Sequence, residues 1–237
     1  MALATICSLD EVLSYLSSDA SDVTDSDRIS LIHRLSERSV RRYLGCNVVQ
    51  ATYTHILPQH SGKGSRLHGG DVLRLPEYPV RSIISIYEDA YAYGGQASSA
   101  FDGSTRLTAG DDYFLSVNQS GLSWFGHVVR IATDWPSVGG SIRVRYTAGW
   151  SAAELDGDVT DYGLDASDIK LAVLKTIAAT FNRSTQQQTA EGTVISEKID
   201  DYYVQYDSSK SSMEDARAQV PQDGKLLLAR FRRLVAG

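Results

Sequence analysis

The hydrophobic pattern of this chain changes its period twice, and that change limits the folds the chain can form. Between residues 26 and 44, apolar side chains recur every three or four positions, as on one face of a helix. From 49 to 57 the period is two, which is typical of a strand, and short β-branched runs follow as far as residue 146. After Asp165 the helical period returns. Helices and strands that are segregated along the chain in this way indicate the α+β class.

The helical segments carry start and stop signals. Ser8, with Glu11 three residues later, forms a capping-box pattern before the first helix. Gly45 stands where a glycine commonly ends a helix, and here it would end the second. Asp165 is a candidate N-cap for a third helix, and Pro221 opens the last one. We therefore predict about four helices.

The order of these segments predicts an inserted domain. Residues 1–47 and 160–237 are expected to form a helical bundle, and residues 48–159 a β-rich domain inserted between helices 2 and 3. Two short β-type runs, at 193–199 and 202–206, predict a β arm before the C-terminal helix. The acidic segment 149–168 is expected to be a loop.

Composition excludes several classes of protein. A chain of 237 residues can bury a core without disulfides. Its two cysteines, Cys7 and Cys46, are not in a metal-binding spacing and indicate a reducing compartment. A secretory signal and a membrane span are not expected, because no stretch approaches about 18 apolar residues. The net charge of −6 argues against a general nucleic-acid-binding surface.

Charge is unevenly distributed along the chain. The first 30 residues are acidic and include Asp22 and Asp25, whereas residues 31–45 are basic. Opposed patches of this kind suit contacts between subunits, although helices also carry solvated charge on their outer faces. The basic candidates for a subunit interface are Arg34, Arg38, Arg41 and Arg42.

Motifs of catalysis or ligand binding are incomplete. The run 62–65, Gly-Lys-Gly-Ser, lacks the spacing of a phosphate-binding loop. Three histidines, His55, His60 and His68, have no cysteine or carboxylate at metal-finger spacing. The aspartate-rich segments lack the glycine and the closing glutamate of a calcium loop, and no G-x-S-x-G elbow is present. We therefore expect no enzyme, no cofactor and no metal.

Four segments, taken in order, resemble the head–tail connector (adaptor) family of tailed bacteriophages. The most specific is 142–150, which contains Tyr-Thr-Ala-Gly-Trp and leads into the third helix. The others are 42–45 at the end of the second helix, 73–83 with its leucine, proline-valine and serine-isoleucine stretch, and 196–206 before a linker and a basic helix. The acidic loop lacks the proline that often precedes the third helix in that family.

The resemblance implies a structural subunit of a ring, commonly dodecameric, beneath the portal in the neck of the virion. Such a ring extends the DNA channel, lets double-stranded DNA pass without specific binding, and docks the next neck or tail protein. The protein would be made in the host cytoplasm. In relatives the C-terminal segment inserts against the portal, and the matching candidates here are Lys225, Leu227, Arg230, Phe231, Arg232, Arg233 and Leu234.

An acidic segment is a candidate for the wall of the channel. Residues 151–216 hold thirteen acids and five bases, a net charge of −8. Because lysine and arginine dominate DNA affinity, an acidic wall would let DNA slide. Glu197, Asp200 and Asp201 are the channel-facing candidates, and the alternative is that these acids cap helices and solvate loops.

Other functions stay open at this point. A neck stopper or tail-completion protein would share the ring and bind a different partner. A β-rich carbohydrate-binding module would present an exposed aromatic platform on the β domain and act as a monomer. The tyrosine-rich stretch 87–110 fits either a binding loop or the surface of a sheet.

Overall fold

The structure is a computed structural model that describes residues 5–16, 23–57, 70–89, 101–136, 139–158, 165–189, 194–198, 203–206 and 219–232. It confirms the α+β class. Five α-helices and eight strands occur in these ranges. In chain order they are α1 Leu9–Leu16, α2 Val23–Leu44, β1 Ala51–Leu57, β2 Val72–Arg74, β3 Val80–Glu88, β4 Tyr113–Leu115, β5 His127–Arg130, β6 Ile142–Ala148, α3 Ala152–Asp156, α4 Ser167–Thr189, β7 Val194–Lys198, β8 Tyr203–Tyr206 and α5 Gln222–Leu228.

The chain divides into two compact units. One is helical and comprises residues 1–45 and 166–232, and the other is the β-rich stretch 46–165. Short 3₁₀ turns at Gly103–Thr105 and Ala229–Phe231 complete the assigned elements. Among the described residues, no helix combines the length and the hydropathy that a membrane crossing requires.

The helical unit is organised around α4, which contacts α1, α2 and α5. The amide of Ser8 donates to Glu11 Oε2 at 2.7 Å and the amide of Glu11 donates to Ser8 Oγ at 3.2 Å, so the capping box at the start of α1 is present. Glu11 also pairs with Lys170 of α4. The buried core is contributed by Val12, Ile29, Ile32, Val40, Leu44, Ile169, Ala172, Val173, Ile177, Leu228 and Phe231.

The β-rich unit contains two three-stranded antiparallel sheets. The first has the order β1-β6-β3 and the second the order β2-β5-β4. Alternate residues point inward where the strands are regular, whereas two register shifts in β3 place its inward-facing Val80, Ile83 and Ile86 three residues apart. The shared core consists of Leu57, Leu73, Leu75, Val80, Ile86, Tyr113, Val128, Trp135, Ile142, Val144, Tyr146 and Ala148.

Gly149 ends β6 in a conformation that only glycine adopts readily. Its φ is +101°, and a Cβ atom there would lie 2.8 Å from the carbonyl oxygens of Val48 and Val49. The Gly149 carbonyl accepts from Arg81 Nε at 2.8 Å, and the next residue, Trp150, is fully buried. The glycine in the Tyr-Thr-Ala-Gly-Trp stretch is therefore required by close backbone packing.

Helix α3 lies in the acidic segment that was expected to be a loop. Ser151 and Glu154 form a reciprocal capping box, and Gly157 ends the helix in the left-handed conformation. Glu154 is buried and pairs with Arg81 of β3. The charge of Glu154 is thus structural.

Residues 122–125 form a single β-bridge rather than a strand. The amides of Val80 and Ser123 each donate to the other's carbonyl at 2.8 Å. Gly121 and Gly126 flank the bridge with φ of +71° and +62°, and these turns prevent the ladder from continuing.

Candidate functional site

The exposed face of α2 carries three of the predicted interface arginines in one row. Arg34, Arg38 and Arg42 are four residues apart, so they lie on the same face over about 12 Å. All three are exposed, and Arg34 Nε donates to the Ser30 carbonyl at 3.4 Å. Within the described part of the chain, none of the three has a carboxylate partner. We refer to these residues as the arginine row.

Arg41 belongs to a different environment from the arginine row. Its Nη2 lies 3.3 Å from Glu37 Oε2, and its side chain is only 13% exposed. It is therefore committed to a contact inside the helical unit. Of the acidic interface candidates, Asp22 lies outside the described residues, and Asp25 lies in α2 with its side chain outside them.

Glu37 fixes the N-terminal segment to α2. Its Oε1 accepts from the amides of Ile6 at 2.5 Å and Cys7 at 3.3 Å, and lies 3.2 Å from His33 Nε2. Burial disfavours the charged carboxylate, but the hydrogen bonds from His33 and Ile6 and the nearby Arg41 charge hold the pKa of Glu37 below its usual value. Glu37 is thus an ionised buried acceptor.

Cys7, His33 and Glu37 include the residue types of a nucleophile triad but not its geometry. Cys7 Sγ lies 3.4 Å from His33 Nε2, the same nitrogen that faces Glu37. A catalytic base uses one ring nitrogen for the nucleophile and the other for the acid. Burial, together with the charges of Glu37 and Glu11, raises the pKa of the Cys7 thiol to about 12. This thiol is not an activated nucleophile.

The C-terminal helix packs on its own unit through residues that were predicted to anchor a partner. Phe231 is 2% exposed, and Leu228, which the sequence analysis did not single out, is fully buried. Arg230 Nη2 pairs with Asp168 of α4 at 2.8 Å, and Arg232 lies over the Tyr43 ring at 5.3 Å. Through these contacts the C-terminal helix packs on α4 and α2 of its own unit. These contacts assign Phe231 to the core.

The outward side of α5 presents a different apolar residue. Leu226 is 69% exposed, Lys225 is exposed, and Leu227 is partly buried. Sequence reasoning missed Leu226 because the stripe was set through Leu227 and Phe231, one position out of phase. Arg233 and Leu234 lie outside the described residues.

Only one of the channel-facing candidates falls within the described residues. Glu197 lies in β7 and pairs in register with Val204 of the antiparallel β8, so the predicted β arm includes a hairpin. The described part of the structure does not include the Glu197 side chain, Asp200 or Asp201.

His55 has a structural role in the β-rich unit. Its ring stacks on Tyr53, and the Tyr146 hydroxyl lies 3.1 Å from His55 Nδ1. That hydroxyl also accepts from the Glu77 amide at 3.0 Å, so it joins His55 to Glu77. Burial lowers the pKa of His55, against an opposing effect of the Glu77 charge. His60, His68 and the run 62–65 lie outside the described residues.

The second sheet has an apolar outer face. Val72, Val129 and Phe114 are in register across β2, β5 and β4, with Phe114 48% exposed. On the same face, His127 stacks against Phe125, which is 51% exposed. Adjacent exposed apolar side chains of this kind commonly mark a contact surface.

No protein-family model and no curated protein matches the chain. Its fold is similar to a chain of the structure "Neck of empty GTA particle computed with C6 symmetry", with a TM-score of 0.54 and 14% identity over all of this chain and 96% of the other. The chain has the fold of a particle neck protein. A chain in the virion of a native gene transfer agent (GTA) particle is also similar, with a TM-score of 0.53 and 16% identity over 100% and 96% of the two chains.

Proposed function

We propose that this chain is a structural head–tail connector (adaptor) subunit that forms a ring below the portal of a tailed, phage-like particle. The ring extends the DNA channel and docks the next neck or tail protein. The observation that supports this most is the likeness in fold to a neck chain, which extends over the full length of this chain. That neck was computed with C6 symmetry, with which a dodecamer is compatible.

The arginine row supplies one side of the contact between neighbouring subunits. Its three guanidinium groups are exposed and lack carboxylate partners within the described part of the chain, so an acidic surface of the next subunit can pair with them. Asp22 and Asp25 of the acidic N-terminal region are the proposed counterparts. Arg41 stabilises the subunit itself through Glu37.

The outward side of the C-terminal helix and the residues after it dock on the portal. Lys225, Leu226 and Leu227 offer a basic and apolar surface, and Arg233 and Leu234 continue it in sequence. Phe231 and Arg230 act indirectly, because they hold the helix on α4.

Part of the acidic stretch 151–216 faces the channel in this proposal. Its net charge of −8 would repel the phosphate backbone and prevent the adhesion that lysine and arginine cause. Glu197, Asp200 and Asp201 are its channel-facing residues.

Localisation is the first test of the proposal. Antibodies to the purified protein, coupled to gold, would be imaged on particles from the native host by negative stain. We expect label at the head–tail junction. Label that is absent from particles, with the protein confined to the soluble lysate, would rule out a connector.

A charge-reversal variant tests the subunit contact. The triple variant Arg34→Glu, Arg38→Glu, Arg42→Glu is expected to fold, because the three side chains are exposed, and to fail to enter particles in a complementation assay. Arg145→Glu, at another exposed arginine in β6, is the matched control and should assemble normally. Equal incorporation of both variants would exclude the arginine row from the contact. Capture on purified portal would separate an adaptor from a neck stopper or tail-completion protein.

The apolar outer face of the second sheet favours a second candidate, a carbohydrate-binding module. Phe114 and Phe125 are exposed aromatics of the kind that such a module presents. Binding to a glycan array by a monomer, abolished by Phe114→Ala, would support this function. Gold label at the head–tail junction would favour the connector.

A further inference from the structure

Three metal-ligating side chains converge inside the helical unit. Cys7 Sγ, one nitrogen of His33 and one carboxylate oxygen of Glu37 all lie within 4.8 Å of one another, and all three residues are buried. His33 and Glu37 are four residues apart on α2, which places them on one face, and Cys7 comes from the segment before α1. Sequence spacing alone did not show the cluster, because 26 residues separate Cys7 from His33.

Hydrogen bonds to His33 cannot satisfy both Cys7 and Glu37 at once. His33 Nε2 faces both Cys7 Sγ, at 3.4 Å, and Glu37 Oε1, at 3.2 Å. A ring nitrogen offers either one proton or one lone pair. If Nε2 donates its proton to the carboxylate, the thiol proton has no acceptor on that nitrogen. A cation bound between the three atoms would use all of them as electron-pair donors.

Two of the three separations between the ligand atoms match those around a tetrahedral zinc ion, and the third, between Cys7 Sγ and the Glu37 carboxylate, is within 4.8 Å. With Zn–S of about 2.3 Å and Zn–N and Zn–O of about 2.0–2.1 Å, tetrahedral angles place S and N about 3.5–3.6 Å apart and N and O about 3.3–3.4 Å apart. The observed separations are 3.4 Å and 3.2 Å. A thiolate, an imidazole and a carboxylate are the ligand types that zinc takes in proteins.

The surroundings support the ligands and balance the charge. A thiolate and a carboxylate together neutralise a divalent cation, which lowers the free-energy cost of burying the ion. Glu37 Oε2 is held by Arg41 at 3.3 Å, and the amides of Ile6 and Cys7 direct Oε1. Such outer contacts orient metal-binding carboxylates.

We propose that Cys7, His33 and Glu37 bind one zinc ion, with water as the fourth ligand. The ion joins the N-terminal segment to α2 and so stabilises the start of the helical unit. This site is independent of the connector function, and neither inference depends on the other.

Cobalt substitution tests the site directly. The full-length protein would be stripped with a chelator and titrated with Co²⁺ while absorbance is recorded. We expect one equivalent to bind, with the thiolate-to-cobalt charge-transfer band and the visible bands of tetrahedral cobalt, and we expect Zn²⁺ to abolish both. Cys7→Ser should remove the charge-transfer band and weaken affinity by more than about 100-fold, because loss of an outer contact alone costs about 10–100-fold.

The second buried cysteine provides the matched control. Cys46→Ser should retain the band and the stoichiometry. Zn²⁺ should also raise the melting temperature of the wild-type protein and of Cys46→Ser but not that of Cys7→Ser. Absence of a thiolate band in the wild-type protein at saturating Co²⁺, or its loss in Cys46→Ser alone, would overturn the proposal. If Cys7→Ser does not fold, the wild-type titration still decides the question.

Discussion

Replacing Gly149 by alanine should destabilise the β-rich unit far more than the same change at Gly110. Both glycines have positive φ, +101° and +89°, so alanine costs about 1–2 kcal/mol at either position. At Gly110 a Cβ atom would meet nothing within 4 Å, whereas at Gly149 it would lie 2.8 Å from backbone atoms of Val48 and Val49. Overpacking of this kind adds about 1–3 kcal/mol. We therefore expect a loss of about 2–5 kcal/mol for Gly149→Ala and about 1–2 kcal/mol for Gly110→Ala.

Tryptophan fluorescence during urea unfolding reports on the β-rich unit, in which both glycines lie. All three tryptophans, Trp124, Trp135 and Trp150, lie in the β-rich unit. With a slope of about 2 kcal/mol per M, the midpoint should fall by about 1–2.5 M for Gly149→Ala and by about 0.5–1 M for Gly110→Ala. Equal midpoints for the two variants would refute the argument that a backbone clash at Val48 and Val49 requires glycine at 149.

Four further variants test other parts of the structure. Leu228→Ala should cost about 2–5 kcal/mol, measured by helical circular dichroism during unfolding, because the side chain is fully buried. Leu226→Ala should cost less than about 0.5 kcal/mol and instead weaken capture on portal; unchanged capture would remove Leu226 from the docking surface. Glu154→Gln should lower the stability of the β-rich unit by about 1.5–3 kcal/mol, since Arg81 loses its charged acceptor; an unchanged urea midpoint would contradict this. The lowered pKa of His55 means that the unfolded state takes up a proton first as pH falls below 6.5. The stability linked to His55 is therefore present above pH 6.5 and is lost progressively as the pH falls below that value, so His55→Gln should show a shallower dependence of the urea midpoint on pH; parallel curves would exclude His55 as the source.

Local patterns predicted the secondary structure well where they were long. The period of two between 49 and 57 corresponds to β1, Ala51–Leu57, and the run after Asp165 corresponds to α4, Ser167–Thr189. Helix α3 was missed although its Ser-x-x-Glu capping box is visible in the sequence, because the acids around it indicated a loop. Local sequence signals were thus sufficient to predict these helices and strands. The exception is α3, where the acidic composition was given more weight than the capping box.

The candidate site could be predicted only in part, because it depends on how helix faces are oriented by packing. Arg41 and Arg42 are adjacent in sequence, but a rotation of about 100° per residue places one against Glu37 and the other in solvent. The same difference of phase separates Leu226 from Leu227 on α5. The cluster of Cys7, His33 and Glu37 could not be predicted, since it depends on where the N-terminal segment meets α2.

The arginine row also restricts the symmetry with which copies of this chain can associate. A two-fold contact through this face would bring six guanidinium groups together, and like charges facing each other oppose association. In the proposed ring this face would therefore meet a different surface of the next copy, which is a head-to-tail contact. Repeated at a fixed rotation, a head-to-tail contact closes into a ring when the rotation divides a full turn, and it continues as a filament when it does not. The three arginines thus disfavour a two-fold dimer through this face, and the angle of the contact sets the number of copies.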